Sequence, residues 1–195
     1  MSAVAFADPT FESQAAFRRI MRAMSAPGAI VECGEALAPP PPLARAAAAA
    51  LLTLADFETP LWIGPSFPVE VGAYLAFHSG APRAVAPDKA AFALVDLSAD
   101  GLDLARFALG TAEYPDRSTT IVAQASSLAA GRGLRLSGPG IKDQAALAVS
   151  PLPADFHAQW AANRAAFPRG VDLIFVADAR LVALPRSTAI IEGAD

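Results

Sequence analysis

The hydrophobic positions near the amino end of the chain recur at helical spacing. Four large apolar residues follow the i, i+3, i+4, i+7 pattern of one helix face: Phe17, Ile20, Met21 and Met24. Capping chemistry in Asp8-Pro9-Thr10 precedes this pattern, and Pro27-Gly28 ends it. We therefore predict an amphipathic helix whose opposite face carries Arg18, Arg19 and Arg22. A solvated face is the ordinary interpretation of these arginines, and a nucleotide or an acidic partner is the alternative.

The rest of the chain alternates predicted helices with short apolar runs. Further helices are predicted over residues 43–55, 69–77 and 155–166, with a short helical piece at 104–107. Strands are predicted over residues 29–33, 59–63, 91–97, 119–125, 133–137, 145–149, 171–177 and 181–184. Segments 119–125, 133–137 and 145–149 together suggest an antiparallel or mixed patch, and residues 185–188 are expected to leave the sheet. We predict one α/β domain, residues 1–195, in which helices flank a mixed sheet.

The composition of the chain favours another protein as its binding partner over nucleic acid or a membrane. The chain is 54% hydrophobic and only 17% charged, which favours apolar surface reserved for another protein. A net charge of −4 argues against nucleic acid or an anionic membrane as a partner. The single cysteine, Cys33, excludes an internal disulfide, and we expect no signal peptide before Phe6, so we expect a cytoplasmic protein.

Two polar segments attract attention as candidate sites. Residues 113–118, Glu-Tyr-Pro-Asp-Arg-Ser, form a predicted loop in which Asp116 can bond backbone amides and Arg117 can bind an oxyanion. From composition alone, a turn with a surface ion pair is the more ordinary interpretation. The second segment is the turn Gly138-Pro139-Gly140, whose backbone amides could hold an anion between Arg135 and Lys142. A glycine-rich hairpin is the alternative.

Catalytic machinery is hard to find in this sequence. It has no Gly-x-Ser-x-Gly elbow, and a dyad of Cys33 with His78 or His157 would need support that the sequence does not supply. Four carboxylates would have to converge for acid/base work, namely Asp96, Glu113, Asp116 and Asp172. With two histidines and no clustered ligand motif, we expect no metal site.

Several motifs occur together in an order that is typical of one family. They are residues 17–28 (FRRIMRAMSAPG), 113–120 (EYPDRSTT), 136–141 (LSGPGI), 163–175 (NRAAFPRGVDLIF) and 183–188 (ALPRST). In this respect the chain resembles the H subunits of the carbon–phosphorus lyase core complex, and the likeness runs nearly end to end. The resemblance implies a reduced version of the large domain of pyridoxal-phosphate-dependent transferases. We expect no cofactor, because a pyridoxal enzyme needs a Schiff-base lysine and neither Lys89 nor Lys142 has a convincing context.

The resemblance also implies a function without a catalytic residue in this chain. An H subunit is expected to act with the G, I and L components, which form α-D-ribose 1-methylphosphonate 5-triphosphate from ATP and methylphosphonate. It is expected to form a homodimer and to dock with the G, I, J and L subunits. The alternatives are a stand-alone transferase and an anion-binding module on the same fold. The candidates for anion binding or subunit contact are Asp116, Arg117, Arg135, Gly138, Gly140, Lys142, Arg169 and Arg186. For the loop 113–118 we favour folding or subunit contact over ligand binding.

Overall fold

The computed structural model describes residues 5–191, apart from the side chain of Arg132. The expectation on residues before Phe6, and both ends of the domain predicted as 1–195, fall partly outside the described residues. The helices are α1 (Pro9–Ser25), α2 (Arg45–Leu54), α3 (Val69–Ser79) and α4 (Phe156–Ala165). The strands are β1 (Val31–Glu32), β2 (Leu61–Ile63), β3 (Phe92–Asp96), β4 (Thr120–Gln124), β5 (Ser127–Ser137), β6 (Ala145–Ser150), β7 (Asp172–Ala177), β8 (Arg180–Leu184) and β9 (Ala189–Ile191). Every predicted helix is present, and the short helical piece is the 3₁₀ turn Leu104–Arg106.

Six strands form the main sheet, in the order β1-β8-β7-β4-β3-β2. Strands β2, β3, β4 and β7 are parallel, β8 is antiparallel to β7, and β1 is antiparallel to β8. The parallel strands are apolar along their middles because both faces of the sheet are covered. The predicted α/β class, with a mixed sheet flanked by helices, is therefore confirmed.

A second, antiparallel sheet of three strands has the order β6-β5-β9. One prediction is corrected here. Segment 119–125 does not belong with 133–137 and 145–149, since β4 lies in the middle of the main sheet. The predicted exit of residues 185–188 from the main sheet is confirmed, since β8 ends at Leu184 and these residues lead to β9, which pairs with β5 in the second sheet. Strand β6 is an outer strand of this sheet and contains no charged residue.

Two hydrophobic cores lie on opposite faces of the main sheet. One is formed by α1, α2 and α3 against residues such as Val122 and Ile174, and the other by α4 and the second sheet against residues such as Ile121 and Phe175. Alternate residues of β4 and β7 thus enter alternate cores, as the period of two along a strand requires. In α2 five consecutive alanines, residues 46–50, are fully buried, and their small side chains allow close packing. No helix in the described part of the chain is long and apolar enough to cross a bilayer.

Helix α1 begins where its cap predicts and turns a different face to the core. Asp8 accepts hydrogen bonds from the amides of Thr10 (3.1 Å) and Phe11 (3.2 Å), which satisfies donors that the first turn leaves free. The buried face consists of Ala16, Ile20 and Ala23. Phe17 and Met21 are exposed, so the predicted apolar face is only partly correct. The alanines define the core face because they let α1 approach its neighbours closely.

Candidate functional site

The predicted loop 113–118 precedes β4 and lies at the amino edge of the parallel strands. Residues Pro115–Arg117 form a 3₁₀ turn, and the hydroxyl of Thr111 accepts a hydrogen bond from the amide of Tyr114 at 3.0 Å. Gly110 is needed where the loop starts, since a Cβ there would lie 2.8 Å from the carbonyl oxygen of Pro115 and its φ is +75°. The loop is folded back on itself as a corner.

Arg186 fastens this corner to the sheet. Its Nε lies 3.1 Å from each carboxylate oxygen of Asp172, its Nη1 donates to the carbonyl of Pro115 at 2.8 Å, and its Nη2 donates to Ser118 Oγ at 2.5 Å and to Asp172. The backbone amide of Arg186 also donates to Asp172, at 2.7 Å. The two side chains are only 15% and 13% exposed. The planar fork of Arg186 is therefore directed at partners inside the protein.

Arg117 and Asp116 behave differently from each other and from Arg186. The guanidinium of Arg117 lies over the ring of Tyr114, 4.0 Å from its centroid, and remains exposed. Asp116 has no hydrogen-bond partner within residues 5–191, so the prediction that it bonds nearby amides is wrong. Asp116 lies inside the 3₁₀ turn, and the residue before the turn, Tyr114, makes no side-chain capping hydrogen bond.

Arg169 lies in the turn between α4 and β7, beside the same corner. The amide of Gly170 donates to the carbonyl of Leu109 at 2.9 Å. The buried side chain of Asn163 clamps Val171 from both sides, accepting from its amide at 2.8 Å and donating to its carbonyl at 2.9 Å. The structure thus brings Arg117, Arg169 and Arg186 to the amino edge of the parallel strands, where Arg169 is exposed.

The Gly138–Gly140 turn lies elsewhere, against the carboxyl end of α1. A Cβ on Gly140 would come within 2.1 Å of the Ser25 carbonyl oxygen, and one on Gly138 within 3.2 Å of the Ser187 carbonyl oxygen. Close packing therefore explains why glycine occupies both positions. This agrees with the interpretation of the segment as a glycine-rich hairpin. Of the flanking cations, Arg135 donates to Gln144 Oε1 (3.2 and 2.5 Å), while Lys142 is exposed.

A cleft at the carboxyl edge of the sheet was missed by the sequence reasoning. It has a volume of about 530 Å³ and lies between the proline-rich segment, the start of α2 and the ends of β4 and β7. Gln124 accepts from the amide of Ala44 at 2.8 Å and donates to the carbonyl of Pro42 at 2.9 Å. The signal for such a cleft is the rule that crevices in parallel sheets open at the carboxyl ends of strands. It requires the strand order, which one sequence does not supply.

The charged groups of this cleft are also paired within the chain. Arg45 donates to Asp178 through Nε (2.8 Å) and Nη2 (2.6 Å). These hydrogen bonds raise the pKa of Arg45 and lower the pKa of Asp178. The third donor group, Nη1, reaches the carbonyl of Glu35 at 3.0 Å. The arginine at the start of α2 therefore ties together three segments of the chain.

The catalytic candidates considered from the sequence are not all brought together. Asp96 ends β3 and accepts from the amides of Ser98 and Ala99, whereas Asp172 begins β7, so these carboxylates lie at opposite ends of parallel strands. Burial raises the pKa of the Cys33 thiol to about 11, which disfavours the thiolate that a nucleophile requires. Within residues 5–191 no group of three or more His, Cys, Asp or Glu side chains is arranged to hold a metal ion.

Pyridoxal phosphate does not fit the lysines of this chain. Lys89 is exposed and pairs with Asp88 at 3.0 Å, and Lys142 is exposed in the turn beside α1. Neither lies in a cleft where a Schiff base could be held and shielded. The fold and these contacts define an α/β protein in which charged side chains at the edges of the sheet, such as Arg186 and Arg45, bind other segments of the same chain.

Comparison with known proteins identifies the family. The family described as "Bacterial phosphonate metabolism protein (PhnH)" matches residues 4–191, and this chain belongs to it. A Rhizobium meliloti (strain 1021) protein named alpha-D-ribose 1-methylphosphonate 5-triphosphate synthase subunit PhnH is 44% identical over 187 residues, covering 95% of this chain and 94% of that protein. A Stutzerimonas stutzeri protein, named as the putative C-P lyase subunit protein HtxG, is 34% identical over 181 residues, covering 91% and 85%. The family resemblance read from the motifs is confirmed.

Proposed function

We propose that this chain is an accessory subunit of the carbon–phosphorus lyase core complex. It acts with the G, I and L components to form α-D-ribose 1-methylphosphonate 5-triphosphate from ATP and methylphosphonate. The observation that carries this proposal is the 44% identity, along 95% of the chain, to a protein named as a subunit of that synthase. The internal use of Arg186 and Arg45 and the raised pKa of Cys33 support a role without its own chemistry.

The proposal extends to architecture and assembly. We propose one domain, a fold derived from the large domain of pyridoxal-phosphate-dependent transferases without the cofactor, a homodimer, and a place in the cytoplasm. The run of parallel strands β2, β3, β4 and β7 supports the first two points. The exposed positions of both lysines support the absence of the cofactor. The G, I, J and L subunits are the proposed partners.

The test is reconstitution with purified subunits, ATP and methylphosphonate, followed by phosphorus NMR of the products. We expect product from the G, I and L subunits with this chain, none without it, and none from this chain alone. Turnover by the isolated chain would instead establish a stand-alone transferase. An inactive full set, with every subunit folded, would contradict the proposed function.

A substitution in the corner loop tests the role of residues 113–118. We expect Arg117→Ala to leave both complex assembly and phosphonate-dependent activity in place, because within residues 5–191 its exposed guanidinium lies over the neighbouring Tyr114 ring and makes no ion pair. If assembly survives and activity falls, Arg117 serves the ligand, and the structural interpretation of the loop is wrong. Arg169→Ala is the companion variant, because Arg169 is exposed beside the same corner.

A further inference from the structure

The outer strands of the main sheet are bonded on their outer sides to other parts of the chain. Beside β2, the amide of Leu61 donates to the carbonyl of Pro82 at 2.8 Å, in a short parallel bridge. In β1, the carbonyl of Glu32 accepts a hydrogen bond from Arg19 of α1 at 3.0 Å. Both edges of this sheet are therefore partly covered by the chain itself.

Helix α4 covers the segment that leads into β9, one of the two outer strands of the second sheet. Trp160 Nε1 donates to the carbonyl of Thr188 at 2.9 Å, and Arg164 Nη1 donates to the carbonyl of Ser187 at 2.7 Å. The main chain at this edge is thus bonded to the helix beside it. Three of the four outer strands are in this way held by, or continue from, main chain that other elements bind.

Strand β6 is the outer strand that the chain leaves open. It pairs with β5 on one side, and within residues 5–191 the main chain of residues 145–149 makes no hydrogen bond to any other segment. Unpaired donors and acceptors along an edge strand are a template for another strand. Only an extended strand presents its own donors and acceptors at the matching spacing. The chemistry of this edge therefore selects a β-strand as its occupant.

A second copy of the chain supplies a strand that matches. Antiparallel strands pair about two-fold axes, so an edge strand can pair with an identical strand. If Ala148 lies on the axis, Leu147 is opposite the partner's Val149, and both belong to the buried face of the sheet. The strand has no charged residue, so this pairing brings no like charges together.

We propose that two copies of this chain associate through their β6 strands, which pair antiparallel across a two-fold axis near Ala148. The inference rests on the homodimer of the proposed function and names its surface. The two small sheets then form one sheet of six strands, in the order β9-β5-β6-β6-β5-β9. The pairing satisfies open donors and acceptors of both strands at once.

The experiment measures the mass of the isolated full chain by light scattering over a range of concentrations. We expect the wild type to reach the mass of two copies. Ala148→Lys brings two lysines together at the axis, so the dissociation constant of the pair should rise at least about tenfold. Ala129→Lys is the matched control, because Ala129 is exposed, lies opposite Ala148 and belongs to the middle strand β5. We expect it to change the dissociation constant by less than about twofold. Thermal unfolding verifies that each variant is folded.

Mixing opposite charges makes the test specific for a second copy. Ala148→Glu alone should dissociate as Ala148→Lys does. An equimolar mixture of the two variants should recover the mass of two copies, because a lysine then meets a glutamate at the axis. A mixture that stays dissociated, with both variants folded, overturns the inference.

The remaining outcomes separate this inference from the proposed function. If Ala148→Lys associates as tightly as the wild type, the copies meet at another surface and the inference is overturned, while the accessory role stands. If Ala148→Lys keeps its mass but no longer captures a purified G, I, J or L subunit, that subunit occupies β6 and the inference is also overturned. If the wild type remains a single copy at every concentration, the homodimer and the inference both fail. Reconstitution with the G, I and L subunits then decides the accessory role separately.

Discussion

At the scale of single residues, the arginines of this chain divide by what they contact. Arg186 and Arg45 connect segments that are far apart in the sequence, each through three nitrogen atoms. Arg117 lies on a neighbouring ring, and Arg18, Arg22 and Arg169 face solvent. A sequence shows only that arginine is preferred over lysine. A guanidinium group can bind other parts of the same chain or remain free to bind a partner. Which of the two occurs depends on contacts between residues far apart in the sequence.

Replacing Arg186 should be among the most destabilising changes on the polar side of the molecule. Arg186→Ala leaves the nearly buried carboxylate of Asp172 without its guanidinium partner and frees the carbonyl of Pro115. Breaking a buried ion pair in this way costs about 3–5 kcal/mol. Urea unfolding measures the loss, with the exposed Arg117→Ala as the control expected to cost less than about 1 kcal/mol. Equal losses for the two variants would contradict the assignment of Arg186 as the fastening residue.

Cys33 should make stability depend on pH at the alkaline end. Burial raises the pKa of its thiol from 9.0 to about 11, so the folded state holds the proton more tightly than the unfolded state does. This contribution is fully present below about pH 9 and is lost as the pH rises towards 11. The advantage of the wild type over Cys33→Ala should shrink by up to about 1.4 kcal/mol per pH unit in that window. Urea unfolding at several alkaline pH values checks this, and a constant difference would refute it.

At the scale of elements, the turn that follows β5 depends on how closely it approaches α1. Gly140 and Gly101 share a left-handed backbone, with φ of +82° and +69°, but only Gly140 has Ser25 within 2.1 Å of a built Cβ. Gly101 has open space there. We expect Gly140→Ala to cost about 1–3 kcal/mol more than Gly101→Ala, because both carry the backbone strain and one adds overpacking. Equal effects in thermal or urea unfolding would mean that the turn can move away from α1.

The elements that could be predicted from the sequence are those with a local signal. Helix α1 has a cap and a periodic pattern, and β3, β4 and β7 are continuous apolar runs between turns. The assignment of β4 to the main sheet could not be predicted, since pairing with β3 and β7 is decided by residues far away in the chain. Strand β9 is three residues long and has no pattern of its own.

For the candidate site, too, some residues could be predicted from the sequence, but their contacts could not. The motifs led to Arg186 and to the two glycines, but they did not reveal that Asp172 and Ser118 are the partners of Arg186. Likewise, the spacing of Phe17 and Met21 predicts burial, yet Ala16 and Ala23 occupy the core face instead. Which side of a helix is buried depends on its neighbours, and one sequence does not identify them.

At the scale of the whole molecule, the main sheet separates two cores and is covered on both faces. Its central strands, β4 and β7, pair with each other along five consecutive residues and have strands on both outer sides. We expect their amides to exchange with deuterium most slowly, at rates set by global unfolding, and amides of the outer strand β6 to exchange faster. Hydrogen-exchange mass spectrometry of the folded chain measures both. Faster exchange in β4 than in β6 would contradict this ranking of stability.

Strand β6 has a practical consequence for anyone who purifies this protein without its partners. The six residues of β6 are uncharged and form an edge strand of the smaller sheet, so one side of its backbone has no strand to pair with. The strand contains no lysine or proline, the residues that commonly prevent another strand from pairing with such an edge. The purified protein should therefore form oligomers at high concentration, and their size should increase with protein concentration. A single lysine introduced along that border should keep such stocks clear.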